Sequence, residues 1–313
     1  MKENTIIQLI NSSYLKYINE MIIDNQTIIP NSSYKFSSKG NYTVYFLMNI
    51  TSLYSLEKLF NQNKNMTSIF FSSKFNSEKI KQMDYIFAGC SSLTSVDFSH
   101  FNTQNIKSLS YMFHSCISLQ SIDLNEFNTI NIGNMEGMFY QCYQLTSINI
   151  SSFKTYNLKN MAKMFQSCVS ITSINLSNFI TNNVEKMDNL FSYCSSLISI
   201  EISNFNTEKV TSFEYIFNGC TNLKNINISN FNTTNIKSMH SMFYSCSSLE
   251  SINISNFDTI NLQYMNSMFR SCSSLKYLEL SNFITPNLLN LQNTFENCKN
   301  LTFLNISNLI HQM

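Results

Sequence analysis

The stretch MFHSCISLQSIDLNEFNTINIGNM, residues 112–135, returns in the same order of residue types as MFYSCSSLESINISNFDTINLQYM at 242–265, which is 130 residues, or five times 26, further on. The nine cysteines mark the same period: Cys90, Cys116, Cys142, Cys168, Cys194, Cys220, Cys246, Cys272 and Cys298 are separated by eight intervals of 26 residues. A fixed period of this size is the signature of a solenoid, in which each coil buries its apolar face on its neighbours. Numbering each coil from its cysteine as zero, offsets +3, +6 and +8 are apolar, as in Leu249, Ile252 and Ile254. The polar residues at +5 and +7 complete an alternation of period two, which reads as a short strand. Offsets +16, +19, +22 and +23 are apolar again, as in Ile236, Met239, Met242 and Phe243. Their steps of three and four predict a short helix. Each coil therefore reads as strand, loop, short helix and return to the cysteine.

The loop has its own columns. Offset +13 is Thr in all eight complete coils, from Thr103 to Thr285, and +15 is Asn in seven, with Lys209 the exception. The Asn column reads as a helix N-cap and the Thr column as support for loop backbone between coils. A Thr ladder also suggests an ice-binding array, but such arrays need two Thr per coil on one strand.

Composition agrees with a repeat rather than with a charged surface. Of 313 residues only 12% are charged, the net charge is +1, and 46 Asn and 48 Ser supply the polarity. That balance argues against a nucleic-acid-binding surface. No apolar run reaches the roughly 18–20 residues of a membrane helix. The N-terminus lacks a secretory pattern and the first cysteine is Cys90, so neither signal peptide nor lipobox is read.

With these residues in view, the MF-x-x-C-x-x-L-x-x-I-x-L-S-x-F-x-T-x-N pattern resembles the 26-residue bacterial-surface-protein repeat of the BspA-like leucine-rich-repeat family. The resemblance covers about residues 51–309. It implies an α/β leucine-rich-repeat solenoid whose parallel sheet lies on the concave side, and it implies surface exposure, adhesion and partner binding. Before the first cysteine the pattern decays: Asn63 stands in the cysteine position and one extra residue precedes Phe75. Residues 51–82 are thus a degenerate first coil and 83–313 the regular ones. Residues 1–50 carry no repeat and read as short strands with turns at Asp24-Asn25 and Pro30-Asn31, with a short helix over 4–19. They form an N-terminal β cap on the open edge of the first coil. The last strand has no such cover, so its edge predicts self-association, or a longer native product that supplies the cap.

Chemistry is sparse by comparison. One cysteine per coil, with histidines at 100, 114, 240 and 311, does not give the convergent pairs of a zinc site. The cysteines read as buried thiols, with inter-coil disulfides as the alternative. Thirteen N-x-S/T sequons are near the number chance supplies in so Asn-rich a chain. No phosphate loop, metal motif or nucleophile stands out, so no enzyme, cofactor or metal is expected. What remains is the outer face of the sheet. Its candidate binding residues are Ser95, Asp97, Ser121, Asp123, Asn149 and Asn175, continuing through Glu201, Asn227, Asn253, Tyr277, Glu279 and Phe303. The expected partner is a protein or a glycan. Family resemblance places it at the surface; the missing signal, lipobox and anchor place it in the cytoplasm.

Overall fold

The computed structural model describes residues 6–38 and 40–309. From Leu53 onward the chain is a stack of coils repeating every 26 residues after the first, and all but the two at 225–227 and 251–253 contribute a three-residue strand at offsets +5 to +7. The strands β6 (Ser68–Phe70), β7 (Ser95–Asp97), β8 (Ser121–Asp123), β9 (Ser147–Asn149), β10 (Ser173–Asn175), β11 (Ser199–Glu201), β12 (Tyr277–Glu279) and β13 (Phe303–Asn305) run in parallel. Ladder pairing joins them in twos: β6 with β7, β8 with β9, β10 with β11 and β12 with β13. Ser68 pairs with Ser95, a step of 27, so the extra residue of the first coil is real.

The expected short helix is absent among the described residues. Its apolar stripe is buried as predicted, but the backbone is a run of tight turns with left-handed residues at two positions per coil, for example Tyr85 (φ 57°) and Gly89 (φ 73°). The reason lies in where the N–H groups go. Alternate donors close turns inside the coil, such as Ile86 to Met83 O, Ala88 to Tyr85 O and Cys90 to Phe87 O. The donors between them reach the next coil: Tyr85 to Ser110 O, Phe87 to Met112 O and Gly89 to His114 O, at 2.9, 3.0 and 2.7 Å. An α-helix would consume all of these bonds within the coil and leave coils joined by packing alone. The turn run makes a second inter-coil ladder, opposite in chemistry from one edge to the other: N–H groups face the following coil and carbonyls the preceding one.

The Asn column is likewise not a helix cap. Asn105, Asn131 and Asn157 donate Nδ2 to the carbonyls of Glu78, Gln104 and Ile130 in the preceding coil, at 2.7 to 2.8 Å. Lys209 fills the same place by donating Nζ to Asn183 Oδ1. The Thr column is buried and double-ended. Thr155 Oγ1 donates to Ile180 O at 3.0 Å and accepts from Ile180 N at 2.7 Å. Ser77 does the same for Asn102 in the degenerate coil.

Phe at +23 forms a spine. From Phe60 to Phe295 the rings stack coil upon coil, with neighbouring centroids 5.5 to 6.3 Å apart. The cysteines lie beside it. Each thiol donates to the carbonyl of the preceding coil's Phe, as Cys194 does to Phe165 O at 3.1 Å. Eight of the nine are buried and Cys298 is half-exposed. Burial pushes these thiols upward, Cys194 and Cys246 to about 12, which suppresses the reactive thiolate. A thiol reagent should leave eight cysteines unmodified in the native chain and reach Cys298 first. All nine should titrate after denaturation without reductant; fewer would mean that the ladder is cross-linked.

The N-terminal segment ends the turn ladder by imitating a coil. It comprises β1 (Ile6–Gln8) paired with β4 (Ser33–Lys35), a 3₁₀ helix at Ser12–Tyr17, and an antiparallel sheet of β3 (Gln26–Ile28), β2 (Ile18–Ile23) and β5 (Val44–Met48). The helix expected over 4–19 is thus a strand followed by a shorter 3₁₀ helix; residues 4 and 5 lie outside the described residues. Asn11 N–H donates to Leu59 O and Tyr14 OH to Glu57 O, both at 2.8 Å, supplying donors that a preceding coil would give. Asn63, in the cysteine position, donates Nδ2 to Leu9 O at 2.9 Å as the thiols do to Phe carbonyls.

Half-buried acids punctuate the turn ladder. Asp188 accepts from Ser212 Oγ of the next coil, and its burial raises the carboxyl above the usual range, with Glu214 adding to the rise. A raised folded-state pKa favours the protonated form, so this group supports folding below its unfolded pKa and loses that support as pH rises through the folded value. Asp188→Asn should therefore melt higher than the native chain at pH 7. The difference should close below about pH 4, where an unfolded Asp is protonated. Equal melting temperatures at pH 7 would show that Asp188 carries no such strain.

Candidate functional site

Ten of the twelve candidate residues of the outer face lie in the strands, and Asn227 and Asn253 hold the same coil position without a strand. Ten are exposed, while Asn149 and Glu279 are partly covered. The +7 column is not free for a partner in its entirety, because its side chains close the turn that follows the strand. Asp97 Oδ1 accepts from Ser99 N at 2.8 Å, Asp123 from Asn125 N at 2.8 Å and Asn175 from Ser177 N at 3.0 Å. Glu279 does the same for Ser281 at 2.9 Å. This accounts for Asn and Asp at +7: a short side-chain oxygen reaches the N–H two residues on. The hydrogen bonds from Ser99 hold Asp97, and those from Ser281 hold Glu279, below the ordinary carboxylate range.

Aromatic rings stand at both ends of this face. Tyr277 and Phe303, 52% and 42% exposed, stack with centroids 4.4 Å apart and planes 5° from parallel. At the other end Phe70, which pairs with Asp97 across the sheet, meets Tyr45 of β5 edge to face at 6.4 Å. Sequence reasoning missed Phe70 and Tyr45. Phe70 stands between Ile69 and Phe71, both apolar and packed on the core, so the strand alternation points it outward.

Elsewhere the surface offers little. Two shallow, open depressions lie between neighbouring loops, one beside Asn204–Glu208 and one beside Glu126–Ile130. Among the described residues no three His, Cys, Asp or Glu side chains converge on a point. No helix among them is long and apolar enough to cross a membrane.

Parallel coils of 26 residues, with a buried Leu two residues ahead of the strand as at Leu93, Leu119 and Leu145, define a leucine-rich-repeat solenoid of the BspA-like type, a class that generally serves as an interaction scaffold. The chain belongs to the family described as "Mycoplasma protein of unknown function, DUF285", whose model matches residues 34–123, 54–179, 118–224 and 194–308. No curated protein matches it. Solved structures resemble it distantly. The T. pallidum leucine-rich repeat protein is 16% identical, covering 66% of this chain and 77% of that one, with a TM-score of 0.38. A leucine-rich repeat protein from Bacteroides ovatus ATCC 8483 is 17% identical over 85% and 83%, at 0.36. A leucine-rich cell surface protein from Faecalibacterium prausnitzii A2-165 is 18% identical over 85% and 84%, at 0.35. Similarity this low adds no weight; the assignment stands on the coil ladders and the family match.

Proposed function

We propose that the chain is a non-enzymatic binding module, exposed at a cell surface, that adheres to a protein ligand through the outer face of its sheet. The observation that carries this reading is the contrast within one column. Offset +5 is Ser or Asn in seven coils and changes to Tyr277 and Phe303 in the last two. The coils are otherwise interchangeable, so the fold has no use for two exposed rings there, whereas exposed aromatics are the usual anchors of interfaces. The mild acidity of Asp97, Asp123 and Glu201, toward the other end of the face, would favour a partner with a basic rim there. The residues from Ser95 to Asn253 would supply complementarity rather than most of the energy.

The test is capture of surface proteins by the immobilised chain and by a variant carrying Asp97→Asn and Asp123→Asn, which keep the turn-closing oxygen, together with Tyr277→Ser and Phe303→Ser. Captured protein should be lost with the variant while its melting temperature stays unchanged. Capture by both alike would place the binding surface elsewhere.

A second reading has its own observation. Leu304 and Ile306 are 36% and 42% exposed, although the same columns at Leu278 and Leu280 are fully buried. In the chain as it stands, that apolar edge would favour self-association. Light scattering at rising concentration should then show a growing mass, and a constant monomer mass would remove this reading.

A further inference from the structure

The sheet departs most from its own repeat next to Tyr277. Elsewhere a paired step alternates with an open one, but between β11 and β12 three successive steps are open. Residues 225–227 and 251–253 hold strand positions without strand pairing. The coils there remain in register, since Glu250 N–H donates to Lys224 O and Lys276 N–H to Glu250 O.

The side chains describe a slot at the same place. One face of Tyr277 is covered by Phe303. The other looks toward the preceding coil, where the +5 residue is Ser251, exposed and too short to continue the stack. Coils follow one another at about 4.8 Å, the spacing of paired strands, so a ring above Ser251 would meet Tyr277 much as Phe303 does. The hydroxyl of Ser251 forms one edge of the slot. Asn253 forms the next, its Oδ1 already accepting from Ser255 N at 3.1 Å and Ser255 Oγ at 2.8 Å, which leaves its amide nitrogen to meet a ligand.

We propose that this slot binds a neutral sugar ring, stacked on Tyr277 and hydrogen-bonded at its edge by Ser251 and Asn253. Two properties select that ligand. The surroundings carry no net charge, because Glu250 and Glu279 are matched by Lys224 and Lys276, which disfavours both ionic peptides and acidic glycans. The edge presents donors and acceptors together, and a sugar hydroxyl is both. The seven small polar residues at +5 leave room for a chain of such rings to continue along the face. The inference rests on the sheet face being the binding surface, and it adds the ligand class at one end.

Neutral pentasaccharides (of glucose, N-acetylglucosamine and galactose) are titrated into the full chain, read by saturation-transfer NMR and calorimetry. At least one should bind. Tyr277→Phe should keep the affinity, and Tyr277→Ala should weaken it by about tenfold, the upper end of what one ring contact supplies. Ser251→Tyr should fill the slot and abolish binding without lowering the melting temperature; should that variant misfold, Tyr277→Ala alone decides. Absence of binding by every pentasaccharide, or equal binding by wild type and Tyr277→Ala, overturns the proposal. Protein capture that still depends on Asp97 and Asp123 would then leave the broader reading standing.

Discussion

Replacing Phe191 by alanine should destabilise the chain by about 3–5 kcal/mol, the range for deleting a buried aromatic ring. Phe191 is fully buried and stacks on Phe165 and Phe217 at 5.8 and 5.7 Å. The substitution therefore opens a gap on two coil interfaces at once. Stability in a solenoid is approximately a sum of coil and interface contributions, so a weak interface in the middle should also divide the cooperative unit. Thermal unfolding followed by circular dichroism should shift downward and broaden or separate into two steps. Phe191→Leu, which keeps most of the volume, should cost less and keep one transition. A loss below about 1 kcal/mol for Phe191→Ala would be out of range for a core aromatic, and the spine would not be the coupling element described.

The second large effect is expected at Thr181, in a loop rather than in the spine. Thr181→Val preserves shape but removes a hydroxyl that donates to Asn206 O at 2.9 Å and accepts from Asn206 N at 2.7 Å. Thr181 is 1% exposed, so both backbone groups of Asn206 would lose their partner. A buried polar group left without a partner costs about 1–3 kcal/mol. Thr181→Ser retains the hydroxyl and should recover most of that loss. Chemical denaturation of the three proteins measures the difference. Equal stability of the Val and Ser variants would mean that the column is conserved in this chain's coils for shape and not for its hydrogen bonds.

The period, the strand at +5 to +7, the buried spine and the first coil's extra residue were all legible in the sequence, because each depends on which residues are apolar and at what interval. The turn run was not. A stripe at steps of three and four reads as a helix whether the N–H groups close inside the coil or reach the next one, and only Gly89, Gly137 and Gly219 hint at left-handed backbone. At the other such positions Tyr, Lys, Asn, Gln and Ser adopt it, held by bonds on both sides. The Asn column misled for a related reason: a side chain that caps a helix and one that bridges two coils both precede an apolar run. The outward face was legible as a list of residues. Its double duty was not, since the bond from Asp97 to Ser99 N depends on the turn after the strand. The pairing of Tyr45 with Phe70 joins a strand of the N-terminal segment to the first coil, and no local pattern announces it.

The interaction reading is tested most directly by side-chain footprinting of the chain with and without a captured protein ligand. Protection is predicted at Asp97, Asp123, Tyr277 and Phe303, with Tyr111 and Tyr215, which hold the left-handed place of Tyr85 in their own turn runs, labelled equally in both states. Protection of Tyr111 and Tyr215 with no change along the sheet would contradict it, and would move the binding surface to the opposite side of the coils.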